Sequence, residues 1–133
     1  MKVSYLIDTD WIIFQLKGNK QIQSRLMQLQ SEGLGTSIIS LAELYEGIIH
    51  SRDTTGNQKK LDDFLSSVTI FDITEEICKL FGSYRGFLRK QGLMISDFDL
   101  IIAMTCLHHN LTLLTNNRKH FERIKELEII SID

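Results

Sequence analysis

The chain of 133 residues has no proline, only two cysteines and one tryptophan. It also has no apolar run of membrane-spanning length. With no proline, repeat or low-complexity tract, no linker divides it. A hydrophobic content of 43% at this size suits one domain over residues 1–133 with a proper core. Cys78 and Cys106 stand alone without CxxC spacing and cannot build the disulfide framework of a small secreted domain, so both read as reduced core residues. Basic excess is missing too: 15 Lys and Arg against 17 Asp and Glu leave a net charge of −2, so no overall positive field advertises nucleic acid. Any RNA contact needs a local patch. The opening MKVSYLIDTD is too short and too acidic for a signal peptide, and the expectation is a soluble, cytoplasmic protein with no membrane association. Neither GxGxxG nor GxxxxGK[ST] occurs, which argues against the common nucleotide-binding loops.

What is present is an alternation of short apolar runs with helical periods. Residues 3–7 read as a buried strand with Asp8 at its exit, and residues 10–17 and 20–32 as helices stopped by Gly33. Residues 33–39 (GLGTSII) read as a second strand, Ser40 opens a helix that runs to about His50, and the polar SRDTTGNQ marks a loop. Helix at 57–67, strand at 68–72 and a long helix at 74–91 ending near Gly92 follow. DFDLIIAMTCLHH is apolar nearly all round, as a helix buried against a sheet should be. LTLL then reads as a strand, TNNRKHF as a loop and short helix, and EIISI as the last strand. Strands and helices in this order predict a three-layer α/β/α sandwich around a central, mainly parallel sheet. Functional groups should gather beyond the carboxyl ends of its strands.

Three acids fall at such ends: Asp8 after the first strand, Glu43 in the first turn after the second, and Asp99 in the first turn of the buried helix. Carboxylates gathered without lysine or arginine repel one another and rise in pKa unless a cation neutralises them. Mg²⁺ takes oxygen ligands, keeps several waters and accepts substrate phosphate as a further ligand. Activated water beside such an ion hydrolyses phosphodiesters.

Asp8-Thr-Asp10 after YLI, Leu41-Ala-Glu43-Leu-Tyr-Glu-Gly47, Asp97-Phe-Asp99-Leu-Ile-Ile-Ala103 and Leu113-Leu-Thr-Asn-Asn117-Arg-Lys-His-Phe121 resemble, in order and spacing, the successive motifs of the PIN-domain family of VapC-like toxin ribonucleases. The resemblance runs from the first strand to the last. It implies a PIN-like fold and a Mg²⁺- or Mn²⁺-dependent endoribonuclease that leaves a 5′-phosphate and a 3′-hydroxyl. It also implies the partners: an RNA substrate, a cognate VapB-like antitoxin of a type II toxin–antitoxin pair, and a second copy in a homodimer. Carried over by residue, Asp8, Glu43 and Asp99 match the three principal acids, which are catalytic and hold metal. Asn117 matches the fourth, often acidic, position, where an amide supplies no charge. Thr115 and Asn116 are auxiliary candidates for orienting water or phosphate; Asp97 and Glu46 are auxiliary acids.

Local chemistry offers plainer roles for several of these residues. Glu43 stands three residues after Ser40 and fits a capping box, Ser96 and Asp99 share that spacing, and Asp97 fits a cap of its own helix. Asp10 reads better as a cap of the first helix than as a site residue, and Glu46 better as a solvated helix acid. Cys106 and His109 have i, i+3 spacing but no second pair to complete a zinc site. Arg85, Arg89, Lys90, Arg118, Lys119 and His120 are available to phosphates or simply solvated. Trp11, Ile12 and Phe14 are either core or an apolar surface for a partner helix. Two rival functions stand beside the nuclease: a haloacid-dehalogenase-like phosphatase, from the Asp-x-Asp after a strand, and a catalytically silent PIN-like binding module, favoured by Asn117.

Overall fold

A computed structural model describes residues 2–132. Its elements are β1 (Tyr5–Ile7), α1 (Thr9–Leu16), α2 (Lys20–Leu29), β2 (Leu34–Ser37), α3 (Ile38–Ile49), α4 (Thr54–Leu65) and β3 (Thr69–Phe71), then α5 (Glu75–Gln91), α6 (Asp97–His109), β4 (Thr112–Leu114), α7 (Arg118–Phe121) and β5 (Ile129–Ile130). The strands lie in the order β3-β2-β1-β4-β5, and every neighbouring pair is parallel.

The period of two along each strand feeds two separate cores. Leu6 and Leu113 join one apolar cluster, while Ile7 and Leu114 join the other. Chain direction decides which helices cover which face. From β1 through β2 to β3 the chain steps one way across the sheet, then returns past β1 to reach β4. Crossovers of one hand therefore put α1 to α4 on one face and α5 to α7 on the other. Trp11, Ile22, Leu44 and Leu61 accordingly pack in one cluster, and Ile77, Leu88, Ile102 and Phe121 in the other. The direction reverses between β1 and β4, and a crevice opens at their carboxyl ends, where loops diverge to opposite faces.

The predicted sandwich is the one observed. Helix α6 spans the expected residues, capped by Ser96 and ended by Asn110 in the left-handed region (φ 57°), with six of its residues buried. Several boundaries and one burial expectation differ. The run predicted as strand to Ile39 turns helical at Ile38, because the Ser37 hydroxyl accepts from Ile39 N at 3.1 Å and caps α3 there. The loop after α3 is shorter than its polarity suggests: Asp53 caps α4 by accepting from Gly56 N at 3.0 Å, which draws residues 54–58 into the helix. Residues 30–32 form a single 3-10 turn, and Gly33 (φ 90°) sits where a Cβ would collide with the backbone of Lys2 and Val3. Cys78, expected in the core, is exposed on α5, whereas Cys106 is buried. Among the described residues, no helix is long and apolar enough to cross a membrane.

Candidate active site

Asp8 occupies the crevice between β1 and β4. Its backbone N–H extends the ladder to Leu114 O at 2.9 Å, so the residue follows the strand without slack. As N-cap of α1, its Oδ1 accepts from Thr9 N at 2.8 Å and its Oδ2 from the Thr115 hydroxyl at 2.7 Å. Thr115, directly after β4 and fully buried, also lies 3.4 Å from Asp10 Oδ1 and accepts from Asn117 N at 3.0 Å. A hydroxyl has one proton, and the shorter contact gives it to Asp8. Asp10 is held instead by Asn116 N, which donates to its Oδ2 at 3.0 Å. The capping role preferred for Asp10 is therefore wrong. Asp8 caps the helix, and Asp10, two positions on in its first turn, reaches across to the loop after β4.

Glu43 lies in the second turn of α3, not the first, because the cap is Ser37 rather than Ser40. That displacement removes the capping-box explanation. Its Oε1 accepts from the Thr9 hydroxyl at 2.6 Å, and the same hydroxyl stands 2.9 Å from Ser40 Oγ. Asp99 is the third residue of α6; its backbone N–H donates to the Ser96 cap at 3.2 Å while its carboxylate Oδ2 faces His120 Nδ1 at 3.5 Å. Asp97 does not cap α6 either. It turns away and pairs with Arg85 Nε at 3.0 Å, which also occupies one of the candidate phosphate-binding arginines. Arg118 is similarly engaged by Glu122 at 3.2 Å and Ile129 O at 3.1 Å.

Asp8, Thr9, Asp10, Ile13, Phe14, Glu43, Asp99, Asn116 and Asn117 line one open pocket of about 560 Å³. No lysine or arginine is among them. Thr115 is out of reach of solvent and builds the pocket from behind, whereas Asn116 lines it with its Oδ1 already accepting from Trp11 Nε1 and Ile132 N, both at 2.9 Å. Asn117 Nδ2 lies 3.1 Å from His120 Nδ1. Glu46 is exposed and outside the pocket. Trp11 and Ile12 belong to the core, and Phe14 is partly exposed at the pocket wall. Ile13 and Glu43 also border a second groove of about 430 Å³, with Leu16, Leu44, Gly47 and Ile48 on its floor and walls and Lys17 and Lys60 at its edge.

Burial pushes the Asp8 carboxyl up to about 7; the neighbouring charge of Asp10 adds to this and that of Asp99 adds less, while the Thr115 and Thr9 hydrogen bonds oppose it. Burial raises Asp10 as well. Among the described residues, no three or more Asp, Glu, His or Cys side chains converge closely enough to form a direct metal cage, and the Cys106–His109 pair is no zinc site. The donor set suits a hydrated hard cation instead, because Mg²⁺ retains waters through which spaced carboxylates reach it. A buried carboxylate short of positive charge is the feature such an ion corrects.

A family model described as PIN domain matches residues 5–127. Ribonuclease VapC2 of Rickettsia felis is 34% identical over 125 residues, covering 92% of this chain and 93% of its own. Ribonuclease VapC1 of Haemophilus influenzae is 34% identical over 126 residues, covering 93% and 94%. Among solved structures, VapBC2 from Rickettsia felis bound to a DNA fragment from its promoter contains a chain that superposes with a TM-score of 0.92 at 34% identity, covering 98% of this chain and all of that one.

Proposed function

Because the chain belongs to the PIN-domain family, we propose that it is an endoribonuclease, the toxin of a VapBC-type toxin–antitoxin pair, that hydrolyses RNA phosphodiester bonds with Mg²⁺ or Mn²⁺. The observation that carries the metal-dependent reading is the pocket itself: four carboxylates, Asp8, Asp10, Glu43 and Asp99, around one opening with no basic side chain in its lining. A polyanion would be repelled there unless a cation came with it. Asp8, Glu43 and Asp99 would hold the ion directly or through water. Asp10, which the sequence reading set aside, adds charge beside Asp8. A divalent ion held there would supply Lewis-acid activation of a water and charge neutralisation for the scissile phosphate.

The chain's own groups do the positioning. Thr115 aligns Asp8 from the β4 side, and the Thr9 hydroxyl fixes Glu43 across the gap between α1 and α3. Ile13 and Phe14 form an apolar wall where a nucleotide can lie. Asn117 offers an uncharged amide for a bridging water. The adjoining apolar groove between α1, α3 and α4 supports a VapB-like antitoxin as partner: a segment seated there runs directly to the acids through Ile13 and Glu43. An arginine on that segment would block the pocket by pairing with the carboxylates. The setting of such a pair is the cytoplasm, and the toxin would act as a homodimer.

The test is incubation of the purified chain with total RNA, with Mg²⁺ and with EDTA, beside Asp8→Asn. Discrete fragments only from the unaltered, Mg²⁺-supplied protein are expected. Equal RNA binding by both proteins without any cleavage would select a silent binding module, and release of phosphate from small phosphomonoesters would select a phosphatase.

A further inference from the structure

The function proposed above leaves His120 without a task. It belongs to α7, a helix of four residues that cannot persist by its own hydrogen bonds. Tertiary contacts hold it: Phe121 is fully buried, and Asn117 N donates to Thr115 Oγ1 at 3.0 Å. From this fixed backbone the His120 ring turns toward the pocket, with Nδ1 3.5 Å from Asp99 Oδ2 and 3.1 Å from Asn117 Nδ2. The other three pocket acids each have a donor on the carboxylate from a neighbouring element: Thr115 for Asp8, Asn116 N for Asp10 and Thr9 for Glu43. For Asp99, the Ser96 cap serves only the backbone N–H. His120 stands in the corresponding place for its side chain. Its ring is 45% exposed and so contributes little to core packing.

We propose that His120 is a positioning residue of the acidic pocket. Through the hydrogen on Nδ1 it fixes the Asp99 carboxylate at the start of α6, presetting it for a divalent ion; Nδ1 carries a single hydrogen, so the Asn117 amide is a neighbour of the ring and not a second bond partner. Loss of a partner that orients a metal-binding side chain typically lowers metal affinity by about 10- to 100-fold. The inference rests on the metal-dependent reading, and its test separates the two.

The working edge is Nδ1, so two amide replacements discriminate. Asparagine at 120 sets its amide where Nδ1 stands, whereas glutamine reaches the position of Nε2. The full purified chain and its His120→Ala, His120→Asn and His120→Gln variants are titrated with Mn²⁺ alone, free Mn²⁺ being read by electron paramagnetic resonance. Thermal unfolding in EDTA is measured in parallel. His120→Ala and His120→Gln should bind Mn²⁺ about tenfold more weakly, His120→Asn within about twofold of the parent, and all four should unfold within a few degrees of one another. With RNA at saturating Mn²⁺, kcat should fall in His120→Ala and His120→Gln while KM holds. Parental Mn²⁺ affinity in His120→Ala, no rescue by asparagine, or a stability loss that parallels the affinity loss would each overturn the assignment. If the parent chain binds no Mn²⁺ at all, the metal-dependent reading fails and takes this inference with it; if it binds and His120→Ala matches it, only the role of His120 fails.

Discussion

Replacing Asp8 with asparagine should stabilise the metal-free protein at neutral and alkaline pH while abolishing its activity. The carboxyl of Asp8 titrates near 3.9 in an unfolded chain and is pushed up to about 7 in the fold, first by burial and then by Asp10. A folded-state value raised in this way means that the fold holds the proton more tightly than the unfolded chain. Below pH about 4 both forms are protonated and nothing is lost; as pH climbs toward 7 the wild type loses stability, and above 7 the loss is complete. At about 1.36 kcal/mol per pH unit the gap reaches about 4 kcal/mol. Asparagine removes that charge and keeps most of the hydrogen bonding. Its oxygen accepts from Thr9 N, and its amide donates to Thr115 Oγ1, whose proton then turns to Asp10, 3.4 Å away. One charge-assisted bond is weakened, so the net gain at pH 8 should be about 2 to 4 kcal/mol, on the order of 10 °C in Tm for a domain of this size. Urea unfolding in EDTA at pH 8 and pH 4.5 reads it directly; at pH 4.5 the two proteins should agree within about 1 kcal/mol. Added Mg²⁺ should raise the stability of the wild type alone. An Asp8→Asn protein no more stable than wild type in EDTA at pH 8 would refute the reasoning, since Asp8 would then not be a carboxylate held in the fold at electrostatic cost.

Asp97 and Asp99 should separate cleanly. Asp97→Asn breaks only a partly exposed pair with Arg85, so it should shift stability by less than about 1 kcal/mol and leave RNA cleavage near the parental rate, whereas Asp99→Asn should lower cleavage by at least about 100-fold; equal losses would mean that the pocket acids are misassigned. Thr115→Val removes the hydroxyl that serves Asp8, Asp10 and the Asn117 N–H, and should cost about 1–3 kcal/mol by urea unfolding together with weaker Mn²⁺ binding. Leu16→Lys, in the apolar groove but outside the acidic pocket, should reduce retention of a co-expressed antitoxin while cleavage by the free chain persists; undiminished retention would move the partner elsewhere.

The sequence exposed the strand exits and the buried helix clearly, because both signals are local. Asp8 directly follows an apolar run, and the all-round hydrophobicity of α6 has no other explanation than burial between sheet and neighbouring helices. Boundaries failed where one hydroxyl or carboxylate decided between adjacent choices. Ile38 and Ile39 suit a strand as well as a helix until Ser37 caps the latter, and that shift of three positions separated Glu43 from its supposed capping partner. Asp-x-Asp offers two caps for one helix, and spacing alone does not tell that Asp8 takes the role and leaves Asp10 free for another. Only the parallel pairing of β1 with β4, which brings Asn116 N within 3.0 Å of it, shows that the second acid faces the site. The same pairing ties Thr115 and the Asn116 backbone to the two acids, which makes both residues part of the pocket's frame. His120 carried no signal beyond a basic triplet, because its neighbour Asp99 lies in a different element and 21 positions earlier. Contacts across the sheet reversal point are set by topology, which residue spacing alone does not encode.

The most direct measurement is anomalous diffraction from crystals of the unaltered chain soaked in Mn²⁺. The account predicts a peak inside the pocket, with carboxylate or water oxygens at about 2.0–2.2 Å and Asp8, Glu43 and Asp99 surrounding it. No peak at saturating Mn²⁺, or one lying outside the ring of these acids, would contradict it.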